Sequence, residues 1–176
     1  MKIKLDLIGE EGLLVNEAIE SQWLSSQLGP NSAYSARTAG HFKAALIKAG
    51  EVVHVRGEIA IGLTAACSRC LVEVPSPVRC DVEVALFPEE KAVEPGLEME
   101  LCEEDLGVAL YRDQEIDLGE IVRDEVVLQL PISLVCRNSC AGLCDNCGAN
   151  LNEGVCGCPE RFDIRWSALQ NVKLKN

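Results

Sequence analysis

Val52-Val53-His54-Val55-Arg56-Gly57-Glu58-Ile59-Ala60-Ile61-Gly62-Leu63-Thr64-Ala65 is the stretch on which the fold turns. Val53, Val55, Ile59 and Ile61 fall on one parity, with His54, Arg56 and Glu58 on the other. Such period-2 alternation of β-branched and polar residues marks a strand with one buried face. On its N-terminal side Phe42 to Ile47 reads as a second strand, joined through a turn at Lys48-Ala49-Gly50-Glu51. On its C-terminal side Val78, Cys80, Val82, Val84 and Leu86 alternate across Val78 to Phe87. Connections this short favour an antiparallel meander.

Farther out, residues 1–8 alternate charge and apolar side chains and read as another strand. Asn16 to Leu28 reads as a helix: Asn16 caps it, Ile19, Trp23 and Leu24 share one side, and Gly29-Pro30 stops it. Asn31 to Gly40 is small and polar and reads as a loop, and Leu106 to Tyr111 as a short strand. The strongest helix signal follows. Asp117 is placed to cap with Glu120 three residues on, Ile116 and Ile121 occupy the staple positions, and Pro131 ends the run. Leu118, Ile121, Val122 and Val126 give that helix its apolar face. The expected fold is α+β. An antiparallel sheet from residues 1–8, 42–65 and 78–87 packs on the helix 118–130 in a core domain spanning 1–131. A small zinc-ribbon-like, cysteine-rich module with the C-terminal tail occupies 132–176.

The chain has 176 residues, 48% of them hydrophobic and 25% charged, the balance of a globular protein. It holds no apolar run near the roughly 20 residues that span a bilayer. The opening Met1-Lys2-Ile3-Lys4-Leu5-Asp6 lacks the apolar block of a secretion signal, so a cytoplasmic location is expected, with no membrane partner. Reducing cytosol disfavours a disulfide framework among the ten cysteines. Net charge is −12, which repels bulk phosphate unless a local basic face is set apart; DNA is not an expected partner. Residues 89–105 concentrate eight acids against Lys91 alone, inside an acidic loop of about 88–105. That run reads either as a solvated loop or as a docking surface for a basic partner.

Six cysteines crowd into residues 136–158. Cys144-x2-Cys147-Gly148 lets two thiolates converge, and Cys156 and Cys158 can complete a tetrahedron around zinc. The favoured ligand set is therefore Cys144, Cys147, Cys156 and Cys158. Cys136 and Cys140 are alternates, able to replace one pair or serve a second ion. Cys67-Ser68-Arg69-Cys70 is a weaker second site with three readings: half of a metal site, shared with Cys136 and Cys140; a redox dithiol; or a structural turn. Thioredoxin-like chemistry wants the first cysteine at a helix N-terminus, and strand signals flank this one. Catalytic sets are otherwise missing. His41 and His54 are the two histidines, and neither a Gly-rich phosphate loop nor a nucleophile-base pairing is evident. Aromatic residues, at 4%, are too few for a base-stacking platform.

Three segments together resemble one family. Cys67-Ser68-Arg69-Cys70-Leu71 follows a long strand, and Glu115-Ile116-Asp117-Leu118 leads into Val126-Val127-Leu128-Gln129-Leu130-Pro131. Cys136-x3-Cys140-Ala141-Gly142-Leu143-Cys144-x2-Cys147-Gly148-x-Asn150-Leu151-Asn152 then precedes Asp163-x-Arg165-Trp166. In this order they resemble the YceD family, the large ribosomal RNA subunit accumulation proteins. The resemblance covers roughly residues 40–170 and departs from the family pattern at Ile164, where proline is common. It implies a factor for accumulating large-subunit ribosomal RNA during ribosome assembly, not an enzyme; the charge layout fits action by binding ribosomal RNA and/or a basic ribosomal protein of the large subunit. The basic tail, with Arg161, Arg165, Lys173 and Lys175, is the candidate RNA contact. The alternative from a different class is a thiol redox protein using Cys67 and Cys70.

Overall fold

The computed structural model describes residues 1–30, 32–89, 108–159 and 165. These form two compact units, one comprising Met1–Ala65 with Val74–Ile132, the other Ala66–Glu73 with Ser133–Asn176. The first, the sheet unit, is mixed α/β. Its strands are β1 (Lys2–Lys4), β2 (Leu13–Ile19), β3 (Tyr34–Ala36), β4 (Gly40–Ala49), β5 (Val52–Ala66), β6 (Glu73–Pro88), β7 (Val108–Tyr111) and β8 (Glu115–Asp117). Two helices, α1 (Ser21–Leu28) and α2 (Leu118–Gln129), accompany them.

The main sheet runs β2-β4-β5-β6-β7, with β3 pairing the end of β5. β4 and β5 pair antiparallel from His41↔Ala60 to Ala49↔Val52, closing on Gly50 at φ 66°. β5 and β6 are neighbours joined by only residues 67–72, a link too short for anything but an antiparallel pair. The alternation read from β5 is the alternation of burial. Val53, Val55, Ile59, Ile61 and Leu63 are all buried, while His54, Arg56 and Glu58 face out. Phe42 and Leu46 of β4, Val78, Val82 and Leu86 of β6, and Val15 and Ile19 of β2 complete that inner layer. At roughly 1.5–3 kcal/mol for each fully buried large apolar side chain, this layer dominates the stability of the unit.

α2 has the predicted start and face. Asp117 Oδ1 accepts the Gly119 N–H at 2.8 Å, Ile116 and Ile121 are both buried, and Leu118, Val122 and Val126 enter the same core cluster. Val127 and Leu128, on the other side of the helix, are exposed.

Four readings of the N-terminal half and the sheet edge are corrected, the shortest being Tyr34–Ala36, read as loop and paired as β3 with β5. Residues 13–19 are a strand, and the helix begins only at Ser21. Val15 and Ile19, four apart, suit either period, and seven-residue pairing with β4 outweighs the local cap signal of Asn16. Residues 1–8 do not join the main sheet. β1 pairs instead with β8 in a two-stranded ribbon, Lys2↔Asp117 to Lys4↔Glu115, and Leu5–Leu7 form a 3-10 turn. The sheet is also not wholly antiparallel, because β7 lies parallel to β6 from Ala85↔Val108 to Pro88↔Tyr111. The acidic run from 90 to 105, and the tail apart from Arg165, lie outside the described residues.

Candidate metal centres

Among its described residues the cysteine unit buries no aliphatic or aromatic side chain. Its fully buried residues of hydrophobic class, among those described, are Cys67, Cys70 and Cys140. Small units with little aliphatic core are commonly held by a covalent or metal staple. None of the described cysteines is in a disulfide.

Eight thiols collect into two sets of four. Cys67, Cys70, Cys136 and Cys140 bring their sulfurs within 4.8 Å of one another, and Cys144, Cys147, Cys156 and Cys158 do the same. In the first set Cys67 Sγ lies 3.9 Å from Cys140 Sγ, and Cys70 Sγ lies 3.7 Å from Cys136 Sγ. With Zn–S bonds of about 2.3 Å, the edge of a tetrahedral ZnS4 site is about 3.8 Å. A disulfide would need about 2.05 Å. The spacing is that of ligands around one ion. The weaker cysteine pair and the alternates thus come together in one set, while the favoured four form the other. Cys80 stands apart in β6, where burial pushes its thiol pKa up.

Two copies of one turn present half of each set. In the first, Leu71 N–H closes on Cys67 O at 3.0 Å and Arg69 N–H points at Cys67 Sγ at 3.4 Å. In the second, Gly148 N–H closes on Cys144 O at 2.8 Å and Asn146 N–H points at Cys144 Sγ at 3.4 Å. The residue after the second cysteine is left-handed in both, Leu71 at φ 61° and Gly148 at φ 71°. Backbone N–H groups aimed at sulfur favour thiolate. The Cys70 and Arg69 amides, then that of Cys136, draw Cys67 down to about 6, and the Cys147 and Asn146 amides draw Cys144 down to about 6.

Cys70, Cys136, Cys156 and Cys158 resist ionising beside those thiolates. Burial and the surrounding sulfurs push Cys136 up to about 12, and the sulfur of Cys147 followed by burial pushes Cys158 up to about 12. Four sulfurs in so small a space can all be thiolate only around a cation. Both sets could hold a metal ion, and four thiolates are the donor set common in structural zinc sites.

Side chains that sequence reading quoted without a role hold this arrangement. Asn152 donates its amide to Cys140 Sγ at 3.4 Å and to Asn150 Oδ1 at 2.7 Å. Its Oδ1 accepts from Ala141 N–H at 2.9 Å and from Arg137 Nη2 at 2.8 Å. The Asn152 contact is the leading reason that the Cys140 thiol pKa is lowered. Arg69 donates to Cys140 O at 3.1 Å and accepts the Leu143 N–H on its own carbonyl at 3.2 Å, while Ser68 N–H reaches Leu134 O at 2.8 Å. These bonds tie residues 67–72 to the segment carrying Cys136 and Cys140. The signal that could have shown Asn152 was its place in the Asn-Leu-Asn step that closes the second turn.

All eight clustered cysteines fall in residues 55–173, and that span matches the sequence profile described as large ribosomal RNA subunit accumulation protein YceD. The chain belongs to the YceD family. Uncharacterized proteins of Mycobacterium bovis and Mycobacterium tuberculosis are 41% identical over 119 residues, 68% of this chain and 55% of theirs. A Zea mays protein named large ribosomal RNA subunit accumulation protein YCED homolog 1, chloroplastic, is 30% identical over 132 residues, 62% of this chain and 45% of its own. The chain thus spans about half the length of the curated relatives it matches. No solved structure matches it significantly. Among the described residues no helix is long and apolar enough to cross a membrane.

Proposed function

We propose that the protein serves the accumulation of large-subunit ribosomal RNA as a cytoplasmic assembly factor without catalytic turnover. Its cysteine unit is held by two zinc ions and makes contacts in the assembling particle with ribosomal RNA and/or a basic ribosomal protein. The observation that carries this reading is the family match across 55–173, which takes in both four-cysteine sets. Charge supports a division of labour. The sheet unit holds 23 acidic residues against 10 basic ones, a net of −13, and the cysteine unit holds 5 against 6, a net of +1. RNA is repelled by the first and tolerated by the second. Depleting the protein should lower large-subunit relative to small-subunit ribosomal RNA, and an unchanged ratio would defeat the proposal.

The rival reading, a thiol redox protein at Cys67 and Cys70, draws on the lowered pKa of Cys67. Its full burial and its place among four converging sulfurs favour a ligand instead. Thiol titration separates the two: metal-sealed thiols react slowly until a chelator is added, while a redox pair reacts at once and cycles with a dithiol reductant.

A further inference from the structure

β7 is the outermost strand of the main sheet among the described residues and lines a cleft apart from both cysteine sets. β7 pairs with β6 on one side, and among the described residues no strand continues the sheet beyond it. The chain turns back after β7 through Asp113 and Gln114, both at positive φ, and Arg112 and Glu115 form one antiparallel bridge. There the strands part, β8 leaving to pair with β1 while β7 stays with β6. The cleft has a volume of about 930 Å³ and is lined by Val84, Leu86 and Ile121 as well as by β7 itself. Val108 and Leu110 stand along it 41% and 42% exposed. An exposed edge strand with apolar side chains is a template for one more strand.

The charge of the cleft selects what that strand is. Seven carboxylates line it against two cations, Lys2 and Arg112. Both cations are already engaged, Lys2 by Glu115 at 2.7 Å and Arg112 by Glu89. No described cation pairs with Asp113, Glu120 or Glu125. Burial, and then Asp124, raise the pKa of Glu125, as expected of a carboxylate short of a counter-charge. Nucleic acid and a second copy of this acidic unit are both repelled here.

We propose that the cleft receives an extended, lysine- and arginine-rich segment of a partner protein, which adds a strand alongside β7 and sets its cations against Asp113, Glu120 and Glu125. In an extended segment side chains alternate between the two faces. One set therefore meets Val108 and Leu110 while the other reaches the acids. This deepens the proposed function by giving its protein partner a surface, and it rests on that reading only for where the partner is found in the cell.

The test uses the zinc-replete full chain and a fluorescent twelve-residue peptide of alternating lysine and valine, followed by anisotropy. Binding should occur at low salt and weaken steeply between about 50 and 300 mM NaCl as the screening length shrinks. It should fall at least tenfold for the combined Asp113→Asn, Glu120→Gln, Glu125→Gln variant. The unaltered protein should show the same loss toward a peptide N-methylated at alternate amides, which cannot complete a β-ladder. That second arm stands if the triple variant fails to fold. The proposal is overturned if the lysine peptide does not bind, if both arms leave binding unchanged, or if a glutamate–valine peptide or a single-stranded RNA dodecamer binds as tightly. Because nothing in this assay reads ribosomal RNA, its failure is distinct from an unchanged subunit ratio in a depleted strain.

Discussion

The two units of this chain are stabilised by different physics. The sheet unit buries Phe42, Leu46, Ile59, Leu63 and Val122 in a continuous core and carries nearly all the excess negative charge. The cysteine unit buries three thiols and is close to neutral. One has solvent exclusion enough to fold on its own terms. The other, on the proposed zinc loading, depends on ions to make its sulfurs compatible. A protein built this way can lose one unit and keep the other, and that contrast is open to direct attack.

Metal removal should produce the largest effect. Structural zinc in small domains contributes on the order of 10–16 kcal/mol to folding near neutral pH. Protein purified under reducing conditions should carry two zinc ions per chain by elemental analysis, one for each four-cysteine set. A strong chelator should unfold the segments 66–73 and 133–159, seen as new protease cleavage there, while the core amides of β4 and β5 stay protected from exchange. If the chelated protein keeps both units protected, the contrast is false.

The converse attack falls on the apolar unit. Val122 is fully buried on α2, and Val122→Asp would place an uncompensated carboxylate among Leu118, Ile121 and the sheet. A cost of about 3–5 kcal/mol is expected, read as a lower urea midpoint. Zinc content should be unchanged. A variant that melts like the parent would mean that α2 is not docked through that face.

A smaller effect sharpens the comparison within the cysteine unit. Asn152 touches Cys140 and the backbone beside it, and no atom of the second set. Second-shell partners of metal ligands typically alter affinity ten- to a hundred-fold. Asn152→Ala should therefore weaken one of the two zinc ions by about that factor in a chelator competition and leave the other as it was. Equal weakening of both ions would mean that Asn152 supports the unit as a whole.

Much of this was legible in the chain, and the illegible parts share a cause. β5 announces itself because its buried side chains all fall on one parity, and α2 because its cap, staple and stop lie within sixteen residues, Ile116 to Pro131. Both are local patterns. The family resemblance was legible for the same reason, since its motifs are short and ordered. What escaped is set by partners far away in sequence. Residues 13–19 became a strand because β4 pairs with them, and β1 sought β8 across more than a hundred residues. Cys67 lies against Cys140 and Cys70 against Cys136, 73 and 66 residues on, a sharing that the sequence offered as one of three readings without singling it out. Spacing within a motif shows that a cysteine pair can ligate; it does not show with whom.

The two cysteine turns allow the finest test, because they share hydrogen bonds and differ at the left-handed position. Each needs a left-handed residue after its second cysteine, and the second turn supplies Gly148 where the first has Leu71. A side chain in that conformation costs about 1 kcal/mol or more, since Cβ crowds the following carbonyl. Nothing lies within 4 Å of a Cβ built on Gly148, so Gly148→Ala would meet backbone strain and no packing clash. It should destabilise the zinc-loaded protein by about 1 kcal/mol. Leu71 is 65% exposed, so Leu71→Gly gives up little burial and removes the same strain. Its gain is reduced by the extra freedom that glycine brings to the unfolded chain, leaving a net of about 0.5 kcal/mol in favour of the variant. The opposite signs are the point: melting temperatures at saturating zinc should move down for Gly148→Ala and up for Leu71→Gly. If Leu71→Gly lowers stability instead, the leucine side chain makes a contact in solution that offsets its backbone strain, and the two turns are alike in hydrogen bonding but not in energy.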